Sequence, residues 1–135
     1  MIGIVVCTHA NLAAALLEAA EMIVGKIENA ASVAVNPGES SEDIIDKLSE
    51  AIGKVDSGEG VIVLCDMFGG TPSNVSLTLL SETVEVITGV NLPMILKLYT
   101  CRRGPFAEAT EQVQEHGREN ILVAGALLRV KGGPS

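Results

Sequence analysis

Val61–Asn74, VIVLCDMFGGTPSN, decides how this chain is read. Five apolar residues, three of them β-branched, end on an acid, Asp66. Gly69-Gly70 and Thr71-Pro72 follow, and then apolar spacing resumes. That order predicts a buried strand, a tight turn and a helix start, with Thr71 at the N-cap and Pro72 in the first helical position. Such a turn delivers backbone N–H groups and a carboxylate to the carboxyl end of a sheet.

Working outward, the amino-terminal IGIVVCTHA repeats the layout and ends on His9. Ile2–Cys7 reads as a buried strand of the parallel kind. Ala10–Val24 places Leu12, Leu16, Ala19 and Ile23 near helical period, with Gly25 as its stop. Ala31–Val35 is a second strand. Ser40 caps a second helix with Asp43 in its first turn, and Ile44, Leu48, Ile52 and Val55 form that helix's apolar stripe. The helix opening at Thr71 is expected to run to about Leu80. Thr83–Ile87 reads as a fourth strand, and Asn91 and Pro93 open a helix to about Tyr99. Pro105–His116 is a further helix, Ile121–Ala124 a last strand, and the tail beyond is expected to fray. Strands alternating with helices predict an α/β fold, a mainly parallel, doubly wound sheet covered on both faces, in one domain spanning 1–135.

Composition narrows the function. Hydrophobic residues make up 47% of 135, which supports a core, but aromatics are 2% with no Trp, so base stacking is a poor expectation. A formal net charge of -8 with no basic patch argues against nucleic acid and suits a basic protein partner. The amino terminus has no basic region ahead of its apolar run, and no apolar stretch reaches the ~20 residues of a span. A cytoplasmic protein without direct membrane insertion is expected. Cys7, Cys65 and Cys101 lack CxxC spacing, so neither a disulfide framework nor structural zinc is expected, and Cys7 and Cys65 read as small buried hydrophobes.

In an open α/β sheet, ligands bind beyond the carboxyl ends of the strands where strand order reverses. If strands one and three are neighbours there, Thr8–Asn11 and Asp66–Thr71 lie side by side and His9 can meet Asp66. A carboxylate accepting Nδ1–H fixes the tautomer and leaves Nε2 with an outward lone pair. That nitrogen is a nucleophile able to accept a phosphoryl group. Amides at the helix start after His9, at Ala10 and Asn11, and in the Gly69-Gly70-Thr71 turn are the expected cradle, with the Thr71 hydroxyl as a further donor. Other chemistries fit less well. GGTPSN lacks a P-loop lysine, no GxGxxG follows the first strand, and no nucleophile elbow or arginine loop after Cys65 is present. Two distant histidines make a poor metal site, and His116 reads as a helix-end residue facing the negative dipole end. No cofactor and no metal are expected.

At these residues the chain resembles the IIA components of the mannose/fructose/sorbose family of the bacterial phosphoenolpyruvate-dependent sugar phosphotransferase system. The matching pieces are IVVCTHANLAAALLEAAEMIVG, NPGES, VIVLCDMFGGTPSNVS, TGVNLPMILKL and HGREN. The resemblance implies strand order 2-1-3-4 and a dimer exchanging a carboxyl-terminal strand, here Ile121–Ala124. It implies a phosphorylated histidine at His9, an orienting aspartate at Asp66 and a hydroxyl residue at Thr71. It also implies the phosphocarrier protein HPr as donor and a IIB protein as acceptor, a separate polypeptide if the chain ends as written. Ala10 departs from the family, which commonly has glycine there, and CRRGP around Arg102 matches no motif of assigned role. Two alternatives stand beside this reading: a regulatory module whose His9 phosphorylation state is read by a partner, and a phosphoryl-donor subunit of a dihydroxyacetone kinase.

Overall fold

A computed structural model describes the backbone of residues 1–132 and the side chains of 1–129. Four strands, β1 (Gly3–His9), β2 (Ala30–Val35), β3 (Val61–Cys65) and β4 (Val84–Thr88), form an all-parallel sheet in the order β2-β1-β3-β4. The helices are α1 (Leu12–Val24), α2 (Ser41–Val55), α3 (Thr71–Leu77), α4 (Leu92–Cys101), α5 (Phe106–Glu119) and α6 (Ala124–Gly132).

Strand alternation sorts the core into two layers. Ile2, Ile4, Val6, Ile62 and Leu64 pack with residues of α1, α4 and α5, including Ala20, Leu98 and Val113. Val5, Cys7, Val61, Val63 and Cys65 face the other way, onto Ile44, Leu48 and Val55 of α2 and Val75 of α3. Because both faces of the two central strands are covered, Ile4–Cys7 of β1 and all of β3 are apolar without interruption rather than alternating. The chain leaves β1 toward β2 on one side and reaches β3 on the other, so strand order reverses between β1 and β3. That point is where this architecture concentrates ligands.

Register sets the reach of the two central strands. β1 pairs with β3 from Gly3↔Val61 to Cys7↔Cys65 and stops there, but with β2 it continues through Thr8↔Ala34 and His9↔Val35. β1 therefore runs two residues past β3, and His9 lies beside the point where Asp66 leaves the sheet.

Several expected boundaries move. Thr71 is the first helical residue, Gly70 is the N-cap and Pro72 is second in α3. The helix stops at Leu77 rather than near Leu80, as Thr78 and Leu79 bond back three residues to Val75 and Ser76 and the Thr78 hydroxyl donates to the Val75 carbonyl. The caps at Ser40 and Asn91 are formed, accepting from the amides of Asp43 and Met94. Gly25 ends α1 at φ 85°.

The strand expected at Ile121–Ala124 is not formed: 121–123 are irregular and exposed, and Ala124 opens α6, which begins the tail expected to fray. The apolar run has strand composition, but a strand needs a ladder partner, and among the described residues this segment pairs with none. β4 keeps an open edge, beside a groove of about 520 Å³ lined in part by Ile87, Met94, Gly117 and Ile121.

Arg102, which matched no motif, is a structural tie. Only 3% exposed, it donates from Nε to the Ile2 carbonyl, at 3.0 Å, and from its terminal nitrogens to the carbonyls of Glu28 (2.7 Å) and Asn29 (2.9 Å). Its own carbonyl accepts from the Ile2 amide at 2.8 Å. One residue thus locks the end of α4 to the start of β1 and the loop before β2. Arg102→Ala strands these carbonyls, and a loss of about 3 kcal/mol in urea unfolding is expected; Arg103→Ala, at an exposed neighbour, is expected to cost no more than about 0.5 kcal/mol.

Candidate functional site

His9 occupies the last position of β1 with its side chain about half exposed. Its Nδ1 lies 2.7 Å from Oδ2 of Asp66, and its backbone N–H donates to that same oxygen at 3.1 Å. The other carboxylate oxygen, Oδ1, accepts from the Met67 amide at 3.1 Å. One acid therefore holds the imidazole and the peptide that carries it, which leaves the ring little freedom to turn. An ionised carboxylate can only accept, so Nδ1 carries the proton and Nε2 keeps its lone pair. Partial burial works to raise the Asp66 pKa, but the hydrogen bonds from the His9 ring and backbone outweigh it, and the carboxyl is held below its ordinary value of 3.8.

Two residues that sequence reasoning passed over set the loops. Thr8 is fully buried, accepts from the Ala13 amide at 2.7 Å and donates to the His9 carbonyl at 3.1 Å. It fixes the start of α1, where the N-cap Asn11 makes no side-chain bond. Ser73, also buried, accepts from the Gly69 amide at 2.9 Å and donates to the Gly70 carbonyl at 3.0 Å. A hydroxyl four residues after Gly69 was the available signal, since Ser side chains bond nearby backbone at helix starts.

Of the amides expected to cradle an anion, two already have acceptors within the chain. The Ala10 amide is committed to the Val35 carbonyl at 2.9 Å, continuing the β1–β2 ladder, and the Gly69 amide to Ser73. Neither is free to donate to a ligand, and both residues instead shape their turns, at φ 50° and φ 90°. For Ala10 the left-handed conformation costs on the order of 1 kcal/mol that glycine would avoid. The amides of Asn11, Gly70 and Thr71 have no hydrogen-bond acceptor among the described residues, and the Thr71 hydroxyl is exposed and likewise unbonded. Gly70 is needed for space: a Cβ there would sit 2.8 Å from Cε1 and 3.3 Å from Nε2 of His9. Around the pair, Leu12, Met67 and Phe68 are exposed, the last by 71%, and neither loop carries a Lys or Arg.

Cys7 and Cys65 are fully buried neighbours in register, and the Cys65 side chain together with burial pushes the Cys7 thiol up, away from nucleophilic chemistry. His116 lies in the last turn of α5, far along the chain from the pair. No group of three or more His, Cys, Asp or Glu able to hold a metal occurs among the described residues. None of the described helices is long and apolar enough to cross a membrane.

The fold and site define its class: an α/β protein with a doubly wound parallel sheet and a half-exposed histidine held by an aspartate where strand order reverses. Within that class, residues 3–116 match the family described as "PTS system fructose IIA component". The chain is 36% identical over 138 aligned positions to the mannose-specific EIIAB component of Escherichia coli (strain K12), covering 99% of this chain and 43% of that protein. It thus spans less than half the length of that curated relative. It is 36% identical over 99 residues to the sorbose-specific EIIA component of Lacticaseibacillus casei, covering 70% of each. In structure it is similar to a phosphotransferase system component EIIA from Streptococcus agalactiae, with TM-score 0.84 and 26% identity over 93% of this chain and 99% of that one. The chain belongs to this family of IIA components of the phosphotransferase system.

Asp66 generates a pH dependence. Its folded pKa lies below 3.8, so its contribution to stability is complete above that value and is lost as pH falls through the folded pKa. The unfolding free-energy gap between the native chain and Asp66→Asn is expected to be constant near neutrality and to shrink below pH 3.8; a gap unchanged into the acid limb overturns the assignment.

Proposed function

We propose that the chain is a phosphoryl carrier of a sugar phosphotransferase system, and that His9 Nε2 is the atom that carries the group. The observation that carries this reading is the 2.7 Å contact between His9 Nδ1 and Asp66 Oδ2 on a half-exposed surface. An open site suits exchange between two proteins better than capture of a small molecule, and the family matched supports HPr as donor and a IIB protein as acceptor. Such work belongs in the cytoplasm.

In the first transfer, the Nε2 lone pair attacks phosphorus on the phosphohistidine of HPr. The N–P bond of the donor breaks as the new one forms, and the electron pair returns to the donor imidazole. Positive charge builds on the His9 ring, and Asp66 stabilises it without taking the Nδ1 proton, as the acid does in a serine protease triad. The phosphoryl oxygens share negative charge, which the amides of Asn11, Gly70 and Thr71 and the Thr71 hydroxyl are placed to meet. With no Lys or Arg in either loop, the anion is not held too tightly to leave. The second transfer reverses these roles, with the ring of His9 as leaving group toward the IIB nucleophile.

The same reading includes a homodimer in which each chain's Ile121–Val123 covers the partner's open β4 edge. The unpaired edge, the adjacent groove of about 520 Å³ and the exposed Ile121, Leu122 and Val123 support it. Sedimentation is expected to give twice the chain mass, and Leu122→Asp with Val123→Asp to give a folded monomer; a monomeric native chain ends the dimer proposal.

Incubation with phosphoenolpyruvate, enzyme I and HPr, followed by intact mass, is expected to add one acid-labile phosphoryl group. His9→Ala is expected to add none. Asp66→Asn should slow transfer by about 10²-fold, because the ring loses its charge partner. Gly70→Ala should slow it by about tenfold or more by displacing the ring. An unmodified native mass, or modification that survives His9→Ala, overturns the reading.

A further inference from the structure

The end of the sheet away from His9 holds a second polar feature. Roughly 20 Å away, where β1 begins, a cavity of about 500 Å³ opens, lined by Lys26, Glu28, Tyr99, Thr100, Arg102 and Arg103 beside the first residue. Three of the chain's nine Lys and Arg residues meet here, although the net charge is -8. One carboxylate, Glu28, faces three cations. The amino-terminal ammonium does not add to them, since Glu59 holds it at 3.0 Å and Ser57 at 3.2 Å. Of the cations elsewhere, Lys47 pairs with Glu39 and Lys54 with Glu50. Lys26, Arg102 and Arg103 form no salt bridge with a described residue.

Arg102 makes the cavity more than a patch of surface lysines. Its guanidinium is buried against three carbonyls, so its charge is fixed in place and no carboxylate bonds to it. Carbonyl dipoles satisfy donors but cancel no charge, and a low-dielectric wall projects the remaining field outward. Two of its five N–H donors are not committed to those carbonyls. Arg103, the next residue, adds a second cation at close range, and burial and that neighbour both lower the Arg102 pKa. Like charges placed together are relieved by an anion. The volume lies within the range of small-molecule pockets, about 300–1,000 Å³.

We propose that this cavity binds a small phosphate monoester, its phosphate held by Lys26 and Arg103 in the field of Arg102 and its organic part beside Tyr99 and Thr100. A tetrahedral dianion matches two mobile cations with several donors, and Arg binds phosphate through paired N–H groups. The site is separate from His9 and takes no part in phosphoryl transfer.

The test is an NMR titration of the full chain with inorganic phosphate and with glycerol 3-phosphate, with glycerol, chloride and succinate as controls. Saturable shifts at the amides of Lys26, Glu28 and Arg103 are expected from both phosphates, and none from glycerol. The same shifts are expected in His9→Ala, which separates this site from anion binding at the transfer loops. Lys26→Ala with Arg103→Ala should weaken binding at least about tenfold, and Glu28→Gln should tighten it; Arg102 stays intact because the fold depends on it. Absence of saturable shifts, shifts matched by chloride, equal binding of succinate, or binding unchanged in the double variant overturns the proposal.

Discussion

The two-residue overhang of β1 beyond β3 is the constraint on which the site depends. It brings the His9 backbone N–H and ring Nδ1 to one oxygen of Asp66, at 3.1 and 2.7 Å. A histidine on a flexible loop would sample many ring orientations and lose entropy on reacting. Here the last residue of a strand supplies the imidazole and the first residue past its neighbour supplies the acid, so the sheet itself sets the spacing. The two core layers hold that register, because a slip of one residue would turn every buried side chain of β1 to the wrong face.

The same strands divide the labour of the molecule. Their carboxyl ends carry His9, Asp66 and a glycine turn kept open for the ring, with apolar Leu12, Met67 and Phe68 around them. Their amino ends are tied by Arg102 and gather unpaired cations. The two loops at the carboxyl-end face hold no Lys or Arg. Ala10 shows a tolerated cost at that face: a non-glycine residue at φ 50°, directly after the histidine.

Much of the fold was legible because buried parallel strands and capped helices leave strong local marks. Ser40 and Asn91 cap as their side chains suggest, and the first four expected strands are the four that form. The misses have physical causes. Thr71 yields the cap position to Gly70, since the turn bonds through Ser73 instead. Ile121–Val123 has the composition of a strand but no partner in the chain, and pairing is not a local property. Ala10 and Gly69 look like anion-binding amides from their loops, yet Val35 and Ser73 already take them.

By itself the order of residues determined the alternation of elements, the apolar strands and the two turns that carry His9 and Asp66, because propensity, periodicity and turn chemistry act over a few neighbours. Only the tertiary structure decided which amides remain free, that Arg102 bridges segments more than seventy residues away in the chain, and that His9 and Asp66 share one oxygen across 57 residues. Those outcomes rest on register and packing between distant segments, where free energy is won or lost only once the pieces are assembled.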